Sequence, residues 1–507
     1  MSDKHIAVRN VAANWIGAAF TMMAGFFLMP YTVHKLGDAV YGLWMLLSLF
    51  TGNFGVLDLG VRDAVGRYIA FHRAQGQPEE VNSILSTAMV LLLAAAGVAF
   101  LIFLVTQFLF YRVFQVPPGT ETMARLAFLA IGLNMALRFP LSVFDATLWA
   151  NQRFDQINAV NIVTDLLRAG AMFLTLWLGY GLVMLTVLTL ASAIVNAALK
   201  AVLSFRQNPE MVIHPRFFRR KSVRELFSFG LSSFMNAMGS RLSSFLTAAF
   251  AGHYLMLAAV TGLSIAQRLC DYATQFVSDA AAVLTPIATK FHARNDLALQ
   301  QNLAVTAGRY MYALSLYFFI GFVFLGGPLI VRWMGPSYGH LHTILVILSA
   351  GALYGAAQNV STNIILSMAK HRILAYVRVA AALLLIGTSY MLLQYGLTGL
   401  AVAKAVFIGA FLPTVGVIYA CHLLHLPLWS YFIRTLVRPT LTALVPAVIL
   451  WGLVTLHRPT TWASILLMGA AYSVVYAAAC VHLVGFRQSA ELVRGVLGRR
   501  AEVGESA

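Results

Sequence analysis

The chain is cut into fourteen apolar stretches, near residues 11–33, 40–61, 83–110, 124–149, 156–178, 181–204, 226–250, 255–285, 302–327, 340–368, 373–394, 397–421, 438–456 and 461–485. Each is long enough to cross a bilayer, since a helix rising about 1.5 Å per residue needs roughly 20 apolar residues to do so. Charged residues make up 10% of the chain, apolar residues 60%, and the mean hydropathy is +0.78. A soluble domain carries about 25% charged residues. The fold class expected is therefore an all-α integral membrane protein with about 14 transmembrane helices.

Lys and Arg are retained on the cytoplasmic side of such proteins. With the N-terminus inside, the outer loops hold only Lys35, Arg112, Arg332 and Arg458 of the 35 basic residues. Both termini are thus expected in the cytoplasm. The largest basic cluster, Arg206 to Arg224 with Arg219-Arg220-Lys221, separates spans six and seven. The net charge of +17 then gathers on the inner face, where anionic membrane lipids attract it. Basic residues scattered over short loops, with no recognition motif beside them, give no footing for nucleic acid. The tail from Phe486 to Arg500 alternates apolar and basic residues, which suits an amphipathic helix on the inner surface or a plain polar tail.

The chain also carries a faint copy of itself. Asn14, Gly17, Thr21 and Gly25 share one helical face of span one, and 219 residues later stand Ser233, Asn236, Ser240 and Ser244. Ser48, Thr51, Gly55 and Asp58 share a face of span two, and 220 residues later stand Arg268, Asp271, Gln275 and Ser278. Val40-Tyr41-Gly42-Leu43 is echoed by Val260-Thr261-Gly262-Leu263. Six spans per repeat is an even number, so the repeats are parallel. The expected architecture is two parallel six-helix pseudo-repeats enclosing a central cavity, plus two C-terminal helices. The divisions are an N-terminal lobe at 1–204, a basic cytoplasmic linker at 205–225, a C-terminal lobe at 226–421, two additional helices at 422–485 and a tail at 486–507. Polar faces turned inward from two repeats are the expected design of a transporter.

Several chemistries lack a motif. There is no phosphate-binding Walker loop, no Gly-x-Ser-x-Gly elbow and no His-Glu-x-x-His, and the longest outer connection, near Tyr111 to Met123, is too short for a catalytic domain. The chain is not read as an enzyme, and no cofactor is expected. Cys270, Cys421 and Cys480 all fall inside spans without disulfide or metal-ligand spacing.

A charge at mid-bilayer costs about 2.5–3.5 kcal/mol on insertion scales, which makes each one a candidate for function. Arg309, Arg378 and Lys200 stand near span ends, where snorkelling to the interface accounts for them. Asp165 and Arg168 can pair on their own helix. Arg268 shares one face with Ser264, Asp271, Gln275 and Ser278; Arg241 lies at the edge of the span-seven stripe; Arg138 joins Asn134, Asp145 and Trp149 on span four. Two readings stand for these three arginines. They bind substrate, or Arg268–Asp271 and Arg138–Asp145 are ion pairs that lock helices together. Asp58 and Arg62, at the cytoplasmic end of span two, suit an inner gate or ordinary helix-end charge. Gly351-x-x-x-Gly355 is accounted for by close helix packing.

The run Leu36-Gly37-Asp38-Ala39-Val40-Tyr41-Gly42-Leu43-Trp44, followed by Phe54-Gly55-Val56-Leu57-Asp58-Leu59-Gly60 and Arg67-Tyr68-Ile69-Ala70, resembles the N-terminal signature of bacterial polysaccharide transporters. These are the O-antigen and repeat-unit flippases of the multidrug/oligosaccharidyl-lipid/polysaccharide exporter superfamily. The resemblance implies a flippase moving an undecaprenyl-diphosphate-linked oligosaccharide across the bacterial cytoplasmic membrane by alternating access, for surface polysaccharide synthesis. It implies a cavity lined by spans one, two, seven and eight. Arg138, Arg241 and Arg268 would hold the diphosphate, with Asp271 beside them, and Asn14, Asn236 and Gln275 would bond sugar hydroxyls. Asp58, Arg62 and Asp145 would serve gating or ion coupling. Its partners would be the lipid-linked oligosaccharide, membrane lipids and a glycan polymerase or glycosyltransferases. Two alternatives stay open: a drug/cation antiporter, although span one lacks the acid that one branch of those carries, and a flippase for a lipid-linked peptidoglycan precursor.

Overall fold

The computed structural model describes residues 3–54, 61–114, 116, 119–282, 284, 288, 291, 296–368, 370 and 372–483, and no β-strand occurs among them. In chain order the helices are α1 (Asp3–Leu36), α2 (Asp38–Phe54), α3 (Val61–Ala74), α4 (Pro78–Val113), α5 (Glu121–Ala150), α6 (Phe154–Trp177), α7 (Leu182–Gln207), α8 (Arg220–Tyr254) and α9 (Leu257–Ala282). They continue as α10 (Leu297–Met334), α11 (Leu341–Ala357), α12 (Asn359–Ser367), α13 (Arg372–Met391), α14 (Gly396–Lys404), α15 (Leu412–Leu423), α16 (Leu428–Phe432), α17 (Arg438–Leu456) and α18 (Trp462–Leu483). Two π-helical segments, Ala405–Phe411 and Ile433–Val437, join α14 to α15 and α16 to α17.

Each of the fourteen expected stretches contains helix. Among the described residues, nine helices are long and apolar enough to cross a membrane, and two shorter apolar helices accompany them. The chain is a multi-pass membrane protein. Local chemistry sets the ends. Pro78 opens α4 with Glu79 and Glu80 in its first turn, where a carboxylate favours the helix dipole. Asp296 caps α10 by accepting the Leu299 N–H at 3.0 Å. Gly37, at φ +76°, ends α1 in the left-handed conformation that glycine adopts without strain.

The contacts divide the chain into two compact units, Met1–Thr261 and Gly262–Ala507. In the first, α4, α5 and α7 pack together and α1 lies against α6. Phe103, Phe110 and Phe128 form an aromatic core there, and the Phe103 ring occupies the space a side chain at Gly132 would need. Helix α8 packs against α2, α3 and α4, so it belongs to this unit by contact.

The basic segment before α8 is strapped to α4. Asn82 donates to the Glu210 carbonyl at 3.1 Å and accepts the Val212 N–H at 2.9 Å. Ser86 accepts the His214 N–H at 3.1 Å, Thr87 accepts the Arg219 N–H at 3.2 Å, and Ser83 and Ser222 share a hydrogen bond of 2.9 Å. Arg219 closes the strap on Glu80 at 2.6 Å. Beside it, Arg73 donates to Asn151 and Asn208. Burial pulls the Arg73 guanidinium below its usual pKa, and the Glu210 carboxylate opposes that shift.

In the second unit, α10 is the central helix, packed by α11, α12, α17 and α18. Helix α18 docks through tyrosines. Tyr476 donates to the Ala313 carbonyl at 2.6 Å, Tyr472 to the Tyr317 carbonyl at 3.0 Å, and the Tyr317 and Tyr472 rings stack with centroids 5.1 Å apart. Gly351 faces the backbone of Ala405 and Gly409, and Gly355 faces Gly409 and Pro413. That spacing serves close approach of two helices, since a Cβ at Gly351 would lie 2.6 Å from the Ala405 carbonyl oxygen.

Candidate functional site

The α1 stripe meets polar partners on α6. Thr21 donates to Asp165 at 3.4 Å, and the same carboxylate accepts Arg168 at 2.9 Å. A Cβ on Gly17 would rest 3.5 Å from the Asn158 amide oxygen. Behind this face, Asn196 of α7 donates to Asn161 at 3.1 Å and to Thr164 at 2.8 Å. The Asp165–Arg168 pair expected on a single helix is present. It also reaches the stripe of span one, which helical spacing within span five alone could not show.

On α5, Arg138 is exposed, and Asp145, two turns further on, is bonded by Lys200 of α7 at 2.6 Å. Lys200 is buried, with 5% of its surface exposed. The snorkelling expected of it does not occur, because a carboxylate on the neighbouring helix offers a charge-assisted bond inside the unit.

On α9, Asp271 is exposed and accepts the Gln267 amide at 2.7 Å, and Lys404 donates to the other end of that amide at 2.8 Å. Lys404 is the last residue of α14 before the π-helical turn, and π-segments frequently mark functional sites. Arg268 is half-buried, close enough to Tyr272 for its charge to act there. Gln275 donates to Asp279 at 2.7 Å. Lys404 and Gln267 were missed in the sequence. The signal available was a lone Lys inside a span, which only the fold places next to α9.

The side chains of Asn14, Arg62, Asn236 and Arg241, and the whole of Asp58, lie outside the described residues. Among the described residues no cluster of His, Cys, Asp and Glu has the makings of a metal site. The site geometry thus consists of two polar assemblies, one in each unit. Thr21–Asp165–Arg168 is a neutralised pair beside a hydroxyl, and Lys404–Gln267–Asp271 is a linked row of cation, amide and anion.

A sequence family described as polysaccharide biosynthesis protein matches residues 7–292, more than half of the chain. The chain belongs to that family. It is 23% identical to an uncharacterized membrane protein, EpsK, of Bacillus subtilis (strain 168), over 96% of each chain. Solved structures share the fold. The lipid II flippase MurJ, in an inward closed conformation, superimposes with a TM-score of 0.69 at 13% identity, over 94% of this chain and 99% of that one. An inward-facing multidrug resistance transporter of the MATE family and MOP superfamily gives 0.66 at 15% identity, over 81% of this chain and 94% of that one. A MOP superfamily transporter from Pyrococcus furiosus, whose binding pocket is described as having reverse polarity, gives 0.62 at 16% identity, over 84% and 96%. The chain is thus a multi-pass membrane protein of a polysaccharide biosynthesis family, on a fold shared with the MurJ flippase and MATE-family transporters.

Proposed function

We propose that this protein flips an undecaprenyl-diphosphate-linked oligosaccharide from the inner to the outer leaflet of a bacterial cytoplasmic membrane, for surface polysaccharide assembly. The observation that carries the reading is membership of the polysaccharide biosynthesis family on a fold shared with a lipid II flippase. In this reading two six-helix lobes, 1–204 and 226–421, rock about a central cavity, and both termini are cytoplasmic. Arg138, Arg241 and Arg268 supply fixed positive charge for the diphosphate, because guanidinium is planar, always charged and able to bond two oxygens at once. Asn14, Asn236 and Gln275 face the sugar. The substrate comes from membrane glycosyltransferases, and a glycan polymerase receives it.

The antiporter is the second reading, and one contact bears on it. Asp165 brings to the α1 stripe the acid that span one lacks. Arg168, 2.9 Å from the same carboxylate, already balances its charge, which leaves little field for a cationic drug. Deleting the gene separates the two. Loss of surface polysaccharide with accumulation of undecaprenyl-linked sugar is expected, at unchanged resistance to cationic dyes. Normal glycan with dye sensitivity would transfer the protein to the antiporters.

A further inference from the structure

Halfway along α6, in a helix long and apolar enough to span the membrane, Asp165 and Arg168 form an ion pair whose side chains stay 30% and 36% exposed. Helical spacing shows where that open surface points. Asn158, Asn161, Asp165 and Arg168 recur at three- and four-residue steps and share one face of α6. Val163, Leu166, Leu167 and Leu174, all exposed, occupy the opposite face. The apolar face suits lipid, whereas ionised groups within a span face the interior of a bundle or water. The open part of the pair therefore borders an aqueous space.

The two helices that pack on α6, α1 and α7, both bring polar groups to this face. Thr21 of α1, itself exposed, donates to Oδ2 of Asp165 at 3.4 Å, while Arg168 donates to Oδ1 at 2.9 Å. Asn196 of α7 donates to the Asn161 amide oxygen at 3.1 Å. Hydroxyl, carboxylate, guanidinium and amide thus stand together within the first unit.

The chemistry of that set says which ligand it fits. The pair is neutral as a whole, which gives it little pull on a diphosphate or on a cationic drug. It still offers both kinds of hydrogen-bonding group, since the carboxylate only accepts and the guanidinium only donates. Adjacent hydroxyls of a sugar ring match it, because each hydroxyl can donate to one partner and accept from another. Thr21 shows the match in miniature: its hydroxyl already donates to the carboxylate, over a distance long enough for a better-placed hydroxyl to supplant it. We propose that Asp165 and Arg168, with Thr21 beside them, form a subsite for the sugar rings of the lipid-linked oligosaccharide. The subsite rests on the flippase reading and adds to it a saccharide contact separate from the arginines assigned to the diphosphate.

Native mass spectrometry of the purified full chain in neutral detergent tests it with two probes, undecaprenyl diphosphate and the lipid-linked oligosaccharide extracted from a strain deleted for the gene. Wild type should retain the glycosylated lipid over the bare one. Asp165→Asn/Arg168→Gln should weaken retention of the glycosylated lipid about tenfold and leave that of undecaprenyl diphosphate unchanged. The exchange Asp165→Arg/Arg168→Asp keeps an ion pair on the helix but swaps acceptor and donor, so it should lose the sugar preference too. Thr21→Val, which removes a hydroxyl and no charge, should lose part of it, and decides the matter if neither charge variant elutes as a monodisperse protein. Full preference in these variants would make the pair a structural one and overturn the proposal, as would equal weakening of both lipids. A rise in unfolding temperature with sodium that Asp165→Asn abolishes would make the carboxylate a cation ligand, and also overturns it. A wild type that binds both probes alike overturns the subsite alone, whereas a deletion strain without such a lipid, or a wild type that retains neither probe, overturns the flippase reading itself.

Discussion

Thr261 donates its hydroxyl to the Asp38 carbonyl at 2.6 Å, across 223 residues of sequence. Asp38 opens α2 and Thr261 lies in the first turns of α9. Gly42 and Thr261, one from each of the strings that echo each other in the sequence, also lie against each other, a Cβ on Gly42 standing 3.1 Å from the Thr261 hydroxyl. Gly42 faces the Leu257 carbonyl so closely that a Cβ would collide with it.

Gly42→Ala should consequently destabilise the protein by about 1–3 kcal/mol, the usual cost of overpacking. Thr261→Val should cost about 1 kcal/mol through the lost hydrogen bond. Thermal unfolding of the detergent-solubilised protein measures both. A Gly42→Ala protein as stable as wild type would mean that α2 and α9 do not approach this closely.

Lys404 and Asp271 share the Gln267 amide, and Asp271 lies near enough for its charge to act on Lys404. Removing one charge strands the other inside the membrane, whereas removing both does not. Lys404→Met should lower the level of folded protein more than Lys404→Met/Asp271→Asn does. Western blots of membranes and unfolding temperatures of the two variants provide the comparison, and additive losses would dissolve the link.

The strap over α4 should make the basic segment resistant to proteolysis, since its backbone is held by Asn82, Ser86 and Thr87. Asn82→Ala/Ser86→Ala should raise the rate of limited trypsin cleavage between Arg216 and Arg224 several-fold, because cleavage tracks local opening. Unchanged digestion would show that those bonds do not hold the segment.

Arg268→Ala should abolish complementation of surface polysaccharide at normal protein level, and Arg268→Lys should restore part of it, because Lys cannot form the bidentate fork. Full activity of the Ala variant would remove Arg268 from the substrate site. A drop in protein level would make its role one of helix packing.

The sequence by itself determined the class, the helical positions and the family. Bilayer thickness imposes a minimum apolar length on every span, and that length is visible without any tertiary information. It also carried the function of some glycines: Gly351 and Gly355, four residues apart, announced the close helix contact that they make with the Ala405–Phe411 segment. Pairing across helices was decided by the fold. Lys200 could snorkel on its own helix, and only the placement of Asp145 beside it gave a better partner. Lys404 had no legible partner until α14 and α9 were set side by side, and Gly308 meets Tyr431 and Thr435, more than 120 residues away, only where α10 crosses the segment leading into α17. Hydrophobic length is a local property and survives in the one-dimensional string. Charge compensation acts over a few ångströms in space, so it is fixed only when distant helices are packed together.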